Sequence, residues 1–258
     1  MIHKTAIIDS GAELGNDVEV GPFTVIESDV TIGDGSVIGP NVSIRPYTSI
    51  GSHCNVHAGA VLGGIPQDVN FEGGKSFVSI GANCQIREGV TINRGTQTDS
   101  VTEIGDDCFL MAFSHFGHNV KLGRKVIVAN GALLAGYVEV GDQVFISGNC
   151  VLHQFVTVGR LSMLGGGCGI SKDVPPFCLV KPLEGNTIAG LNSVGLRRST
   201  ITTKDRQEIK EAFKLLFQSG LNISDAVEKI KSAYPSGPAA EISTFVDEIG
   251  RASCRERV

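Results

Sequence analysis

The sequence predicts a mostly β chain: a left-handed parallel β-helix of hexapeptide repeats, followed by a small C-terminal α-helical domain. Three observations predict it. An aliphatic residue recurs every six positions through most of the chain. Glycine is 33 of 258 residues, nearly double the roughly 7% of an average soluble protein. Aromatic residues are only 6%, and Trp is absent. Many turns and little bulk suit a stack of thin layers. The expected boundaries are 1–175 for the solenoid, with ejected loops at 63–79 and 93–103, and 176–250 for a linker and the helical domain.

Stepping by six from Ile2 gives Ile8, Leu14, Val20, Ile26 and so on to Ile170. Of these 29 positions, 25 are Ile, Leu or Val, one is Phe116, and only Asp68, Gly74 and Thr98 break the pattern. Glycine often follows the aliphatic (Gly15, Gly21, Gly33, Gly39, Gly51, Gly63, Gly81, Gly105, Gly123, Gly141, Gly159, Gly165). It is expected there as a residue that turns tightly without a Cβ penalty. Three hexads make one triangular coil, and stacked coils make a parallel β-helix. The position two before each aliphatic shares its inward side by strand alternation. It holds small or β-branched residues, and also Cys54, Cys84, Cys108, Cys150 and Cys168. Free cysteine behaves as a small hydrophobe, so these thiols are expected to be structural.

The two interruptions leave the coil and return in phase, and loops ejected from a rigid scaffold are where function concentrates. Beyond Lys172-Asp-Val-Pro-Pro the hexads stop. Residues 204–217 then read as a helix with Ile209, Phe213, Leu216 and Phe217 on one face. Thr202 and Asp205 form a capping-box pattern, and Gly220 is a candidate helix end. A second helix is expected to open at Ser224 and a third at Pro238. Such helices would cover the last coil's open edge. The tail at 248–258 reads like translated adapter DNA and is expected to be non-native, Cys254 included.

A net charge of −5 and a pI near 5.7 exclude nucleic-acid binding by bulk charge. The 41% hydrophobic content supports a core rather than disorder, and the glycines lack collagen's period of three. No apolar run approaches the roughly 20 residues of a membrane helix, and the start lacks a signal-peptide pattern. Seven cysteines with no CxxC pair fit neither a disulfide framework nor a zinc ribbon. A cytoplasmic protein with reduced thiols is the expectation.

Six histidines are candidates for chemistry. His115 lies between the interior positions Ser114 and Phe116, so it should point outward. His118 falls at a coil corner, and steps of 18 from it reach Gly136 and Gln154. Stacked coils lie about 4.8 Å apart, so these three form one column, with Tyr137 and His153 beside it. A histidine next to an exposed glycine N–H is what base-catalysed acyl transfer needs; solvated surface histidines are the plainer alternative. His3, His53 and His57 have no such company. Some hexapeptide β-helices are carbonic anhydrases with a three-histidine zinc site. Here His118 and His153 lie about two coils apart and no third histidine follows, so no metal is expected, and no cofactor motif is present.

The residues Ile65-Pro-Gln-Asp, Arg87-Glu-Gly-Val-Thr-Ile-Asn-Arg-Gly-Thr, Phe109-Leu-Met-Ala-Phe-Ser-His-Phe-Gly-His, Ala129-Asn-Gly-Ala-Leu-Leu-Ala-Gly, Val151-Leu-His-Gln-Phe, Asp173-Val-Pro-Pro and Gly190-Leu-Asn-Ser-Val-Gly-Leu-Arg-Arg run along nearly the whole chain. Together they resemble the UDP-N-acetylglucosamine O-acyltransferases of lipid A synthesis. The resemblance implies a cytoplasmic homotrimer with sites between neighbouring β-helices. It implies an (R)-3-hydroxyacyl donor on acyl carrier protein and UDP-N-acetylglucosamine, or a related UDP-amino sugar, as acceptor. By the same resemblance His118 is the general base and the Gly136 N–H steadies the oxyanion. Gln67, Asp68, His115, His153 and Gln154 line the substrate cleft, and Asn192 and Arg198 contact the nucleotide. Gly166 leaves room for an acyl chain of about C14.

Three positions depart from the family pattern. Asn119 stands where many members carry Asp, Asn70 where Lys is usual, and Tyr137 where His follows the oxyanion glycine. An amide cannot stabilise an imidazolium as a carboxylate does, which points to a weaker or reoriented base. The departures leave open a related N-acyltransferase acting on an amino group of a UDP-sugar, and an inactive β-helix scaffold. Arg197, Arg198, Lys204 and Lys210 are a candidate basic landing patch for an acidic carrier, or else a solvated helix start.

Overall fold

The computed structural model describes residues 1–182 and 187–252. Its strands are two to five residues long and stack into three sheets, the sides of a triangular prism. Side I has nine strands, from Ile7–Ile8 to Gly169–Ile170, and side II has eight, from Glu13–Leu14 to Thr157–Val158. Side III has ten, from Glu19–Val20 through Met163–Leu164 to Cys178–Lys181 and Thr187–Leu191. Pairing is parallel, with a step of 18 residues away from the ejected loops (Ile7 with Val25) and of 16 from Met163 to Leu179, while the last two strands of side III are antiparallel. The coil is left-handed.

The hexad aliphatics and Phe116 fill the prism: Ile26, Ile44, Leu62, Ile86, Leu110, Phe116, Leu134 and Ile146 are all buried. Each fully buried aliphatic of this size stabilises the fold by about 1.5–3 kcal/mol. Toward the first coil the burial lessens: Ile2 is exposed, and Ile8 and Leu14 are half-buried. The three positions that break the period, Asp68, Gly74 and Thr98, lie in the two ejected loops, 65–76 and 94–100. Across the first loop the pairing step is 30 (Val61 with Thr91), and across the second 24 (Phe77 with Val101). These exceed 18 by 12 and by 6, whole hexads, so the inward phase survives both excursions.

The glycines behave differently from expectation. Of the twelve that follow an aliphatic, only Gly63 has a positive φ (79°). The others are required by stacking: a Cβ at Gly33 would lie 2.6 Å from the Ser52 nitrogen, and one at Gly141 2.6 Å from that of Arg160. The left-handed backbone falls two residues later, on the second corner residue, and is mostly carried by residues with side chains. Asp17 (55°), Asn41 (55°), Asn119 (61°), Tyr137 (60°) and Phe155 (66°) are examples. Such a conformation costs roughly 1–2 kcal/mol for an L-residue, least for Asn and Asp, and the stacked coils impose it.

The small interior slot also has a polar duty. Cys54, Cys84, Cys108 and Cys150 are buried, and each Sγ–H donates at 3.1–3.2 Å to the carbonyl of Gly81, Gly105, Gly123 or Gly165. Thr24 and Ser36 occupy the same slot and bond Gly39 and Gly51 in the same way. Burial pushes the Cys150 and Cys168 thiols up, and Cys178 up to about 12. Six free cysteines lie among the described residues, all buried.

Among the described residues, four helices close the far end: α1 (Ser193–Arg198), α2 (Thr203–Phe217), α3 (Ile223–Ala233) and α4 (Ala240–Ala252). Thr202 caps α2, with Oγ1 accepting from the Asp205 N–H at 3.1 Å and donating to Asp205 Oδ2 at 2.7 Å. The second helix opens one residue before the expected Ser224, because Asn222 takes the N-cap and accepts from Asp225. Phe213 packs into the prism core, while Leu161, Phe177, Leu196, Ile209, Ile230 and Ile242 form the helical core. Arg160, at a late coil corner, clamps Glu241 of α4 with two hydrogen bonds (2.5 and 2.7 Å). Residues 253–258 of the expected tail lie outside the described residues.

Candidate active site

Both ejected loops and His118 belong to one corner of the prism, between sides I and II. The loops brace each other. Asn93 Nδ2 donates to the Ile65 carbonyl, Ser76 Oγ to that of Gly95 at 2.6 Å, and the Asp99 N–H to that of Lys75 at 2.8 Å. Below them the corner continues through His118-Asn119, Gly136-Tyr137 and Gln154-Phe155, one coil apart. Backbone bonds fix the spacing, with the Tyr137 N–H on the His118 carbonyl (3.0 Å) and the Phe155 N–H on that of Gly136 (3.1 Å).

The His118 ring lies over Gly136. A Cβ at 136 would be 2.5 Å from Nε2, so a side chain there is incompatible with the ring's position. The first corner residue's N–H points away from the coil ladder. At the corner between sides II and III, three such donors hold carboxylates: Asn16 on Asp34 (2.7 Å), Ala82 on Asp106 (2.8 Å) and Arg124 on Asp142 (2.8 Å). Gly136 occupies the equivalent position, and among the described residues no acceptor meets its N–H. The same type of donor that binds an anionic oxygen elsewhere in the chain is open here, beside a histidine.

Asn119 sits in the left-handed corner position and is buried, its own N–H on Thr102 Oγ1 at 2.7 Å. Its Oδ1 lies 3.1 Å from each of three groups: the Thr96 N–H, Thr96 Oγ1 and His118 Nδ1. Tyr137 packs edge-on to the His118 ring, with centroids 5.2 Å apart, stacks on Phe155, and bonds Thr96 Oγ1 at 3.0 Å.

A cavity of about 300 Å³ opens at this corner, lined by Gln67, His115, His118, Gly136, Val151 and Gln154 among others. His115 points outward as expected, with Nδ1 2.7 Å from Thr91 Oγ1, and burial lowers its pKa. It is therefore neutral near pH 7. A second cavity, of about 320 Å³, lies farther along the same corner against Tyr47, Lys75 and Phe77 and gathers no histidine.

Comparison with known proteins gives this geometry its context. The model described as "Udp N-acetylglucosamine O-acyltransferase; Domain 2" matches residues 173–254. The model of six bacterial transferase hexapeptide repeats matches 29–64 and 102–136. An acyl-[acyl-carrier-protein]–UDP-N-acetylglucosamine O-acyltransferase of Thermodesulfovibrio yellowstonii is 40% identical, over 98% of this chain and 99% of the relative. The chain belongs to this acyltransferase family. Two solved structures of the family superpose closely. The UDP-N-acetylglucosamine acyltransferase of Bacteroides fragilis has a TM-score of 0.92 at 39% identity, covering 96% of this chain and 97% of that one. The Campylobacter jejuni enzyme has 0.91 at 38%, covering 96% of each.

The other residues that the family resemblance singled out are placed unevenly. His118, Gly136, Gln67, His115 and Gln154 meet at the cavity. Asp68 instead orders its own loop, with Oδ1 accepting from the Asn70 N–H at 2.9 Å. His153 is exposed, its Nδ1 3.1 Å from the Gln154 carbonyl, and does not line the cavity. Asn192 is buried as the cap of α1, accepting from Gly195 and donating to the Leu161 carbonyl. Arg198 is exposed in the last turn of α1. Gly166 lies at the corner between sides III and I, and a Cβ there would meet nothing nearer than 3.6 Å. Glycine at 166 is thus not demanded by the chain's own packing, unlike glycine at 136.

Sequence reasoning missed Thr96, Thr102 and Thr91. Thr102 keeps the six-residue phase of the interior slot, as Thr24 and Thr48 do, so its burial was readable. Thr96 lies in an ejected loop where no period applies.

Proposed function

We propose that the chain transfers an (R)-3-hydroxyacyl group from acyl carrier protein to the 3-hydroxyl of UDP-N-acetylglucosamine, the first step of lipid A synthesis. The observation that carries this reading is His118 lying over an open Gly136 N–H at the mouth of one cavity. His118 Nε2 takes the proton of the sugar 3-hydroxyl as its oxygen attacks the thioester carbonyl. The Gly136 N–H donates to the oxygen of the tetrahedral intermediate. When that intermediate collapses the C–S bond breaks, and the imidazolium returns its proton to the leaving thiolate. Gln67, His115 and Gln154 line the acceptor and donor path, Asp68 orders the loop that bears Gln67, and His153 stands beside Gln154 outside that cavity. Arg198 serves the nucleotide from the helix that Asn192 caps, and Gly166 leaves room for the acyl chain.

The reading extends to a cytoplasmic homotrimer with clefts between copies. Two sides of the prism are apolar outside: Ile7, Leu133 and Val151 are exposed on side I, and Phe109, Ile127, Phe145 and Met163 are half-buried on side III. Side II presents Glu13, Glu103, Lys121 and Glu139. Two apolar sides meeting at one edge suit threefold closure, side I against side III of the next copy. Six unpaired cysteines fit a reducing compartment. No helix among the described residues is long and apolar enough to cross a membrane.

The test is an acyl-transfer assay of the purified chain with UDP-N-acetylglucosamine and a series of 3-hydroxyacyl carrier proteins. Turnover to an O-acylated sugar supports the reading. Absence of turnover at every chain length contradicts it.

A further inference from the structure

The orientation of the Asn119 amide is decided by a group that cannot change roles. The Thr96 backbone N–H is only ever a donor, and it faces the Asn119 side chain at 3.1 Å. The atom facing it must therefore be the amide oxygen, because the flipped amide would set two N–H groups against each other. That oxygen is also 3.1 Å from His118 Nδ1. A carbonyl oxygen accepts only, so Nδ1 must carry the hydrogen, and in the neutral ring Nε2 is left with its lone pair.

Thr96 reinforces the arrangement twice. Its hydroxyl also reaches Asn119 Oδ1 at 3.1 Å and has a single proton to give, so the Tyr137 hydroxyl at 3.0 Å must be the donor to Thr96 Oγ1. The bonds run in one direction, Tyr137 to Thr96 to Asn119, and chains of this kind strengthen one another. Asn119 is 8% exposed, and its N–H is tied to Thr102. The loop that carries Thr96 is held by Ser76 and Lys75 of the neighbouring loop.

We propose that Thr96, acting through Asn119, is a positioning residue that holds His118 as the Nδ1–H tautomer, with Nε2 free to accept a proton. The inference rests on the reading of His118 as general base, and it gives the second ejected loop a task in that reaction. It also answers the departure at Asn119. The amide supplies the acceptor that fixes the ring, although it lacks the charge a carboxylate would add.

The test is ¹⁵N NMR of histidine-labelled protein at a pH where the ring is neutral, with the His118 signals assigned by their loss in His118→Gln. Wild type is expected to show Nδ1 protonated and Nε2 bare. Asn119→Leu removes the acceptor and is expected to bring in the Nε2–H form, whereas Asn119→Asp keeps the wild-type tautomer. Thr96→Val is expected to lower kcat about tenfold with KM unchanged, and Thr96→Ser to restore it. Tyr137→Phe is expected to cost less than Thr96→Val, because Tyr137 only donates into the chain. A wild-type ring protonated at Nε2 overturns the proposal, as does an Asn119→Leu spectrum identical to wild type. The NMR arm needs no turnover, so it decides the tautomer that Asn119 imposes even where the acyl-transfer reading fails, and a Thr96→Val variant with both the wild-type spectrum and the wild-type kcat overturns the role of Thr96.

Discussion

The corner between sides II and III and the corner between sides I and II are built from the same turn, yet three turns of the former cover their first N–H and the turn at Gly136 in the latter leaves it open. In the former, Asp34, Asp106 and Asp142 each cover that donor with a carboxylate oxygen from the next coil. Gly15, Gly81 and Gly123 precede those turns because a Cβ would strike the same Asp side chains. In the latter, Gln154 stands where the Asp would be and does not reach the Gly136 N–H. The comparison teaches that an anion site here required no new backbone. It required leaving out one carboxylate and stacking a histidine over the gap.

Experiments on the two corners should therefore separate rate from stability. The largest expected effect is at the open corner: His118→Ala should lower kcat about a thousandfold, within the range of a lost general base, with the fold intact by circular dichroism. Next is Gly166, where a side chain fits the chain's own packing. Gly166→Met should leave the melting temperature near wild type. It should move acyl preference to shorter chains, changing the ratio of kcat/KM between long and short donors about a hundredfold.

At the covered corner the signs reverse. Asp142→Ala uncovers the Arg124 N–H, and should cost about 1 kcal/mol in urea unfolding while kcat stays at the wild-type value. The smallest effect is at His115. Burial lowers its pKa in the fold, so the unfolded chain binds a proton first as pH falls. Its contribution to stability is present above the ordinary histidine pKa of 6.5 and is lost as pH drops below it. His115→Gln should flatten that part of the melting temperature against pH.

How much of this was legible in the sequence follows from which features are periodic. The interior aliphatics, the slot for Cys54 and its kin, the column of His118, Gly136 and Gln154, and the outward turn of His115 are all fixed by steps of 6 and 18. The role of the glycines was read wrongly because stacking and turning ask for the same residue, and only coordinates separate Gly33, crowded by Ser52, from Asp17, which carries the left-handed φ. The Thr96–Asn119 contact was out of reach. It joins residues 23 apart through a loop that has left the period. Helix α1 was missed as well, since six residues are too few to show a repeat.

The most direct test of the open N–H compares two substitutions at one position. Pro22, Pro40 and Pro46 already stand as first residues of other corners, so proline suits this backbone while lacking an N–H. Gly136→Ala and Gly136→Pro both add the Cβ that displaces the His118 ring, and they differ in the donor. With folding checked by melting temperature, kcat of the proline variant is expected about a hundredfold below that of the alanine variant. Equal kcat values would show that the Gly136 N–H does not hold the oxyanion.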